Sequence, residues 1–394
     1  MSVYLDHAAT TPVFPEVAAA MAAQREHVGN ASSLHTAGRA ARRVVEESRE
    51  RLAGALGARP SEVVFTSGGT ESDNLAVAGV FRARREADPR RVRLLVSAIE
   101  HHAVLDCVQA LVDREGAHVE WLPCDSDGVV QVEHVRAAIE RDPQSVALVS
   151  VMWANNEVGT VQDVAAMAAE AHAHGIPMHS DAVQAVGHLP VDFAASDVDL
   201  LTLTGHKVGG PIGSGALLVR REQQVIPLVH GGGQERQIRS GTLDTVGVLG
   251  LSLATELAVQ RLAAEGERLC RLRDELIEGA VRLGYGIRPG GVWTPGDWAG
   301  RLAGNAHLLV PGCEGDSLLY LLDAAGIECS TGSACQAGVP QPSHVLLAMG
   351  LSDRDARGAL RLTLGHTSDA GDVQAVLAAL PAAVERARRA AGVA

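Results

Sequence analysis

Between residues 62 and 219, short apolar runs alternate with longer helical patterns, and glycine-rich or polar turns divide them. Glu62-Val63-Val64-Phe65-Thr66 reads as a strand. The turn Ser67-Gly68-Gly69-Thr70-Glu71-Ser72 follows, then a helix over about 73–85. Further strands are expected at 92–98, 119–122, 145–152, 177–179, 200–203 and 215–219, with helices at 102–115, 131–140 and 164–174. Strands that are apolar almost without interruption are buried on both faces. Their alternation with helices implies an α/β core around a mainly parallel sheet. In such folds ligands sit at the carboxyl ends of strands. Thr66, Ser97, Met152, His179 and Leu203 lie near such ends, and polar clusters follow them.

Outside this core, 37–56 reads as a helix and 1–16 as an arm containing Pro12 and Pro15. A long helix over 246–283 leads to a smaller unit with strands at 306–310 and 359–364 and helices at 316–325 and 370–390. The expected division is a large domain over 17–260, with 1–16 and 261–394 forming a smaller α+β domain. Aromatic residues are scarce, so the core must be mainly aliphatic. A formal net charge of -13 argues against broad, nonspecific nucleic-acid binding. The start, Met1-Ser2-Val3-Tyr4-Leu5-Asp6-His7, lacks the basic and apolar segments of a signal peptide. No stretch reads as a membrane span of about 20 apolar residues, and a cytoplasmic location is the default expectation. The six cysteines are scattered, which fits neither a disulfide scaffold nor a zinc site. Cys107, Cys124 and Cys270 read as buried small hydrophobes. Cys335 differs, because Ser330-Thr331-Gly332-Ser333-Ala334-Cys335-Gln336-Ala337-Gly338 offers little apolar bulk to bury it.

Lys207, in Thr204-Gly205-His206-Lys207, follows a strand. It lies downstream of Asp181, which closes another strand in His179-Ser180-Asp181-Ala182-Val183-Gln184. A pyridoxal phosphate enzyme needs this pair: the lysine holds the cofactor as a Schiff base, and the acid keeps the pyridine nitrogen protonated. Read singly, the lysine fits a solvated loop and the aspartate a helix cap. Other residues suit the same cofactor. Gly69 and Thr70 lie in a turn whose backbone and following helix could cradle a phosphate, and Thr204 and His206 could donate to it. Gln184 could face the phenolic oxygen. Asn156, in Asn155-Asn156-Glu157, could bond the ring oxygen or a substrate carboxylate. His101 could stack on the ring and shuttle protons, although paired histidines are more often structural. Arg361, in an apolar strand, could clamp an amino-acid carboxylate bidentately, or form an internal ion pair. The loop Gly231-Gly232-Gly233-Gln234-Glu235 through Arg239-Ser240-Gly241-Thr242 could complete a phosphate site, including that of a neighbouring subunit.

In this order the motifs resemble the cysteine desulfurases of the NifS/IscS type, in the class V aminotransferase group of fold-type I pyridoxal phosphate enzymes. The resemblance runs from Tyr4-Leu5-Asp6-His7-Ala8-Ala9-Thr10-Thr11 to Gly332-Ser333-Ala334-Cys335. Met152-Trp153-Ala154 and Gly365-His366-Thr367 look like the actinobacterial branch. It implies a seven-stranded, mainly parallel sheet flanked by helices, with a smaller domain carrying the cysteine loop. It also implies a homodimer. Lys207 would bind the cofactor and remove the substrate's α-proton. Asp181 would pair with the ring nitrogen, His101 would stack on the ring, and Asn156 and Gln184 would contact its oxygen side. Thr70, Thr204 and His206 would bind phosphate, joined by Thr242 from the other protomer. Arg361 would hold the carboxylate of L-cysteine, with Asn156 nearby. Cys335 would take the sulfur as a persulfide, release L-alanine, and pass the sulfur to an acceptor such as an iron–sulfur scaffold or a tRNA thiolation enzyme. The resemblance also implies that Cys335 would ligate a nascent cluster only transiently, with a partner. Thr204, His102 and His366 stand where many relatives have Ser, Lys and Arg. A selenocysteine lyase, or another class V lyase or aminotransferase, is the alternative, and an aminotransferase has no need for the Cys335 thiol.

Overall fold

The computed structural model describes residues 2–332 and 341–392. The chain opens with β1 (Val3–Tyr4), α1 (Pro15–Arg25) and α2 (Thr36–Ala55). The alternating core follows: β2 (Val63–Thr66), α3 (Gly69–Ala87), β3 (Arg93–Ser97), α4 (His102–Glu115), β4 (His118–Leu122), α5 (Val132–Arg141), β5 (Val146–Ser150), α6 (Val164–His172), β6 (Met178–Asp181), α7 (Phe193–Ser196), β7 (Leu200–Thr204) and β8 (Gly215–Val219). Then come α8 (Thr245–Arg282), β9 (Arg288–Pro289), β10 (Asn305–Leu309), α9 (Gly315–Asp323), β11 (Ile327–Glu328), α10 (His344–Ala348), α11 (Asp353–Arg357), β12 (Ala359–Thr363) and α12 (Ala370–Ala390).

Seven strands form one sheet in the order β2-β8-β7-β6-β5-β3-β4. β8 is antiparallel to both its neighbours, and all other pairs are parallel, so β8 alone runs against the rest. The expected mainly parallel seven-stranded sheet is therefore present. Side-chain alternation sorts the strands between two apolar layers. Val64, Leu94 and Val96 pack with α3 and α4, while Val63, Phe65 and Leu95 pack on the opposite side with α2, α5 and α6. Burying each such leucine or valine stabilises the fold by about 1.5–3 kcal/mol. α2 shows why these helices form where they do. Its buried Ala41, Val45, Ser48 and Leu52 recur at helical spacing, and His35 caps it by accepting from Gly38 N.

β9, β10 and β12 form a small antiparallel sheet, and β1 pairs in parallel with β11. A separate apolar cluster joins Leu5 to Leu276, Leu308, Leu362 and Val384. α8 packs along α1, α2 and α12. Among the described residues it is the one helix long and apolar enough to cross a membrane by length and composition, and 44% of its most apolar stretch is buried in the fold. That differs from the sequence expectation of no such stretch. Glu256 interrupts the run and hides it from a search for uninterrupted apolar residues. Partial burial against three helices is the behaviour of a core helix.

Candidate active site

The carboxyl ends of the parallel strands surround a cavity of about 350 Å³, within the usual range of small-molecule sites. The expected phosphate ligands Gly69, Thr70, Thr204 and His206 line it. So do the expected ring contacts Lys207, Asp181, His101, Asn156 and Gln184, together with Arg361. Thr242 does not. It is exposed, on the loop before α8. Cys335 falls in 333–340, outside the described residues. Ser330 and Gly332, which precede that segment, line the cavity.

Each strand end delivers its group by a local device. β7 ends at Thr204 and a single 3₁₀ turn, Gly205–Lys207, carries the lysine round into the cavity. Lys207 Nζ donates to Ala8 O and to Ala9 O, the latter at 2.7 Å, and Gln184 Nε2 donates to the same Ala8 O at 3.0 Å. The N-terminal arm therefore forms part of the site. Burial, aided by Arg361, lowers Lys207 to about 8, against the opposing pull of Asp6 and Asp181.

Asp181 closes β6 and accepts from Val183 N at 2.8 Å. Burial raises its pKa, while that hydrogen bond and Lys207 hold it down. A second carboxyl, Asp73 of α3, lines the same cavity and is 1% exposed. Burial and the nearby Asp181 push Asp73 well above the ordinary carboxylate range. Two buried carboxyls this close do not ionise together. Asp73 keeps its proton and Asp181 takes the charge. His179 lies behind them, with Nδ1 2.9 Å from Ser150 Oγ, Nε2 3.1 Å from Thr202 Oγ1 and 3.5 Å from Asp73 Oδ1. Burial lowers it to about 3, so the ring is neutral. Sequence reasoning missed Asp73. Its signal was an acid set among Leu75, Ala76 and Val77 on a helix, where a charge would not stand unpaired.

His101 caps α4, its Nδ1 accepting from Ala103 N at 3.1 Å, which leaves the ring proton on Nε2. Burial and the positive Lys207 lower it to about 4, so the imidazole is neutral. His206 is lowered to about 4 by the same two causes. Thr204 Oγ1 donates to Ser214 O at 3.1 Å, which leaves its oxygen as an acceptor in this arrangement. α3 starts without a side-chain cap, so its first N–H groups remain for a ligand. Gly68 has φ 154°, and a Cβ on Gly69 would lie 2.9 Å from Val183 Cγ2, so both positions require glycine. Arg361, 5% exposed, donates to Asn156 O at 2.9 Å and to Asp6 Oδ1 at 2.8 Å, while its Nε has no partner among the described residues. Asp6 was also missed as a site residue, since its motif gave no hint that a carboxylate would stand on the arginine.

A cofactor with a phosphate, an aldehyde and a basic ring nitrogen fits this donor set. The cavity offers an uncapped helix start with two hydroxyls, an amine of lowered pKa, and a buried carboxylate beside an acid that keeps its proton. Burial holds all the described cysteines in the thiol form. Burial pushes Cys107 and Cys329 up to about 12 and Cys124 up to about 11, and Cys270 and Cys313 are raised as well.

Comparison with known proteins agrees with this geometry. The family model described as aminotransferase class V matches residues 3–376. An IscS-like cysteine desulfurase of Mycobacterium tuberculosis is 58% identical over 388 residues, covering 98% of each chain. A cysteine desulfurase IscS of Methanosarcina thermophila is 42% identical, covering 98% of this chain and 93% of that one. Among solved structures, a NifS-like protein superposes with a TM-score of 0.87 at 34% identity, covering 98% of this chain and 99% of the other. With its sheet, its lysine and its buried acids arranged in this way, the chain belongs to the class V aminotransferase family, in its NifS/IscS-type branch.

Proposed function

We propose that this chain is a pyridoxal phosphate-dependent cysteine desulfurase that takes sulfur from L-cysteine, leaves L-alanine, and passes the sulfur on from Cys335. The observation that carries the reading is one cavity lined by Lys207, Asp181, His101 and Arg361, with Ser330 and Gly332 in its wall; Cys335 follows Gly332 by three positions in the sequence. Pyridoxal phosphate, when bound, supplies an electron sink next to the substrate's Cα. Lys207 provides the amine that binds the aldehyde and the base that takes the α-proton, and its lowered pKa suits both tasks. Asp181, ionised, would keep the ring nitrogen protonated. The neutral ring of His101 would pack against the cofactor, and Gln184 and Asn156 would bond its oxygen side. Gly69, Thr70 and His206 would hold the phosphate, joined by Thr204 once its hydroxyl turns from Ser214 O. Arg361 binds the substrate carboxylate, exchanging Asp6 for it. The Cys335 thiolate attacks the sulfur of L-cysteine. The bond from that sulfur to Cβ breaks, a sulfur–sulfur bond forms on Cys335, and Cβ gains a proton as L-alanine leaves.

The division of labour in this proposal puts the cofactor on 17–260 and the cysteine segment on the unit made of 1–16 and 261–394. The separate cluster around Leu5, Leu308 and Val384 supports it, although Phe14, Leu302 and Val345 pack with the larger core and blur the boundary. The chain works as a homodimer in which exposed Thr242 reaches the phosphate of the other protomer. The sulfur acceptor is a protein, an iron–sulfur scaffold or a tRNA thiolation enzyme, and the setting is cytoplasmic.

The test compares alanine and persulfide formation from L-cysteine by the parent, Lys207→Ala and Cys335→Ala. Lys207→Ala is expected to lose the visible absorbance of the lysine-bound cofactor, and both variants to lose alanine production. If Cys335→Ala still makes alanine at the parent rate, the persulfide route is wrong and the chain is a lyase.

A further inference from the structure

Residues 231–243 form the loop that carries Thr242, and hydrogen bonds within it and to the rest of the chain fix its course. Within it, Glu235 N donates to Arg239 O at 3.0 Å, Gly233 N to Ser240 Oγ at 3.1 Å and Gly241 N to Gln234 Oε1 at 2.8 Å. Arg236 and Gln237 stand at φ 55° and 61°. Side-chain-bearing residues keep that left-handed backbone only where their surroundings over-determine it. Two carboxylates supply the constraint. Glu235, 1% exposed, takes both Arg49 Nη1 and Nη2, at 2.9 and 2.7 Å, and Phe65 N at 2.8 Å. Phe65 belongs to β2, the strand that runs into the phosphate turn. Glu71, inside that turn, accepts Ser67 N at 2.6 Å and Ser67 Oγ at 2.5 Å. It also takes Arg239 Nε at 2.8 Å. Burial works against charge on Glu71, but Arg239 and Ser67 outweigh it and leave its carboxyl below the ordinary value, so it is ionised. Thr242 follows shortly after Arg239, is exposed, and is not among the residues lining this chain's own cavity.

We propose that Glu71 and Arg239 are positioning residues: Glu71 braces this chain's own phosphate turn through Ser67 and, through Arg239, sets the loop that presents Thr242 to the phosphate site of a second copy. This rests on the assignment of Thr242 made above. A single ionised carboxylate then stands between two phosphate sites of one dimer, so its loss is felt at the phosphate and not at the aldehyde.

The test strips the full-length chain of cofactor and titrates it with pyridoxal phosphate or with pyridoxal, which lacks the phosphate, following the visible absorbance of the lysine-bound aldehyde. The parent prefers the phosphorylated form. Thr242→Ala and Arg239→Gln should each cut that preference about tenfold, the effect of losing one hydrogen bond to a charged group, while pyridoxal affinity and dimer mass stay unchanged. The double variant should be no worse than the weaker single, because both act on one contact. Arg239→Lys, which keeps the charge, should recover part of the loss. If Thr242→Ala leaves the preference intact, the assignment of Thr242 falls and this proposal with it. If Thr242→Ala lowers it but Arg239→Gln and Glu71→Gln do not, or if the effects add, Thr242 stands and the link through Glu71 is overturned. An Arg239→Gln that weakens both aldehydes equally overturns the link as well.

Discussion

The amine of Lys207 lies in surroundings that favour its neutral form, so it sheds its proton near pH 8 where an ordinary lysine would hold it to 10.5. Only the neutral amine attacks an aldehyde. Capture of pyridoxal phosphate by the cofactor-free chain should therefore speed up as pH rises and level off just above 8, measured by stopped-flow absorbance. A plateau near 10 would mean that burial does not act on this lysine as described. Arg361 makes a second case. Asp6 occupies its fork where a substrate carboxylate would sit, so the two carboxylates compete. Asp6→Asn should lower KM for L-cysteine by roughly fivefold with little change in kcat, the worth of about 1 kcal/mol of ion pairing. Arg361→Lys, losing the bidentate geometry, should raise KM by about tenfold or more. Steady-state kinetics on the two variants separate these outcomes.

At the scale of elements, strands and helices with strong periodicity were legible. β5 and β7 are buried at every position and read as central strands, and α8 and α12 fall within a residue of their expected limits. The reversed direction of β8 was not legible, because an apolar run has the same composition whichever way it points. β1, β9 and β11 have two residues each, too few to show a period. Pro15 looked like part of an arm but is the first residue of α1, where a missing N–H costs nothing. α3 starts at Gly69, four residues before the expected start at Asp73, because Gly68-Gly69 reads as a turn by composition. The early start matters, since it puts the helix N-terminus at the phosphate end of the cavity. Gly69→Ala would set a methyl 2.9 Å from Val183 Cγ2. It should cost about 1–3 kcal/mol of stability and weaken cofactor binding. Thermal unfolding with and without pyridoxal phosphate would check it, the variant gaining less from the cofactor than the parent does.

For the whole molecule, the proposed dimer predicts a particle of twice the 41.1 kDa chain mass in sedimentation equilibrium, with cofactor loss accelerating on dilution as protomers part. A 41.1 kDa species that keeps its cofactor would contradict the role given to Thr242. At this scale the sequence was informative about which residues gather and silent about what holds them in place. Lys207, Asp181 and Arg361 could be named because chemistry requires their side chains. The carbonyls of Ala8 and Ala9 that receive Lys207, and the protonated Asp73 beside Asp181, could not. A backbone oxygen has no sequence signature, and a carboxyl's protonation depends on neighbours brought together from distant parts of the chain.

The arm that supplies those carbonyls has a consequence for how the molecule comes into being. Val3 and Tyr4 pair with Ile327 and Glu328, and Ala8 N donates to Thr363 Oγ1, 355 residues further on. A ribosome emits the arm more than three hundred residues before its docking strands. Until β11 and β12 have emerged, Lys207 has no settled carbonyls to receive it, and the site stays unfinished. The arm, made early, thus takes its place late, after the strands on which it docks.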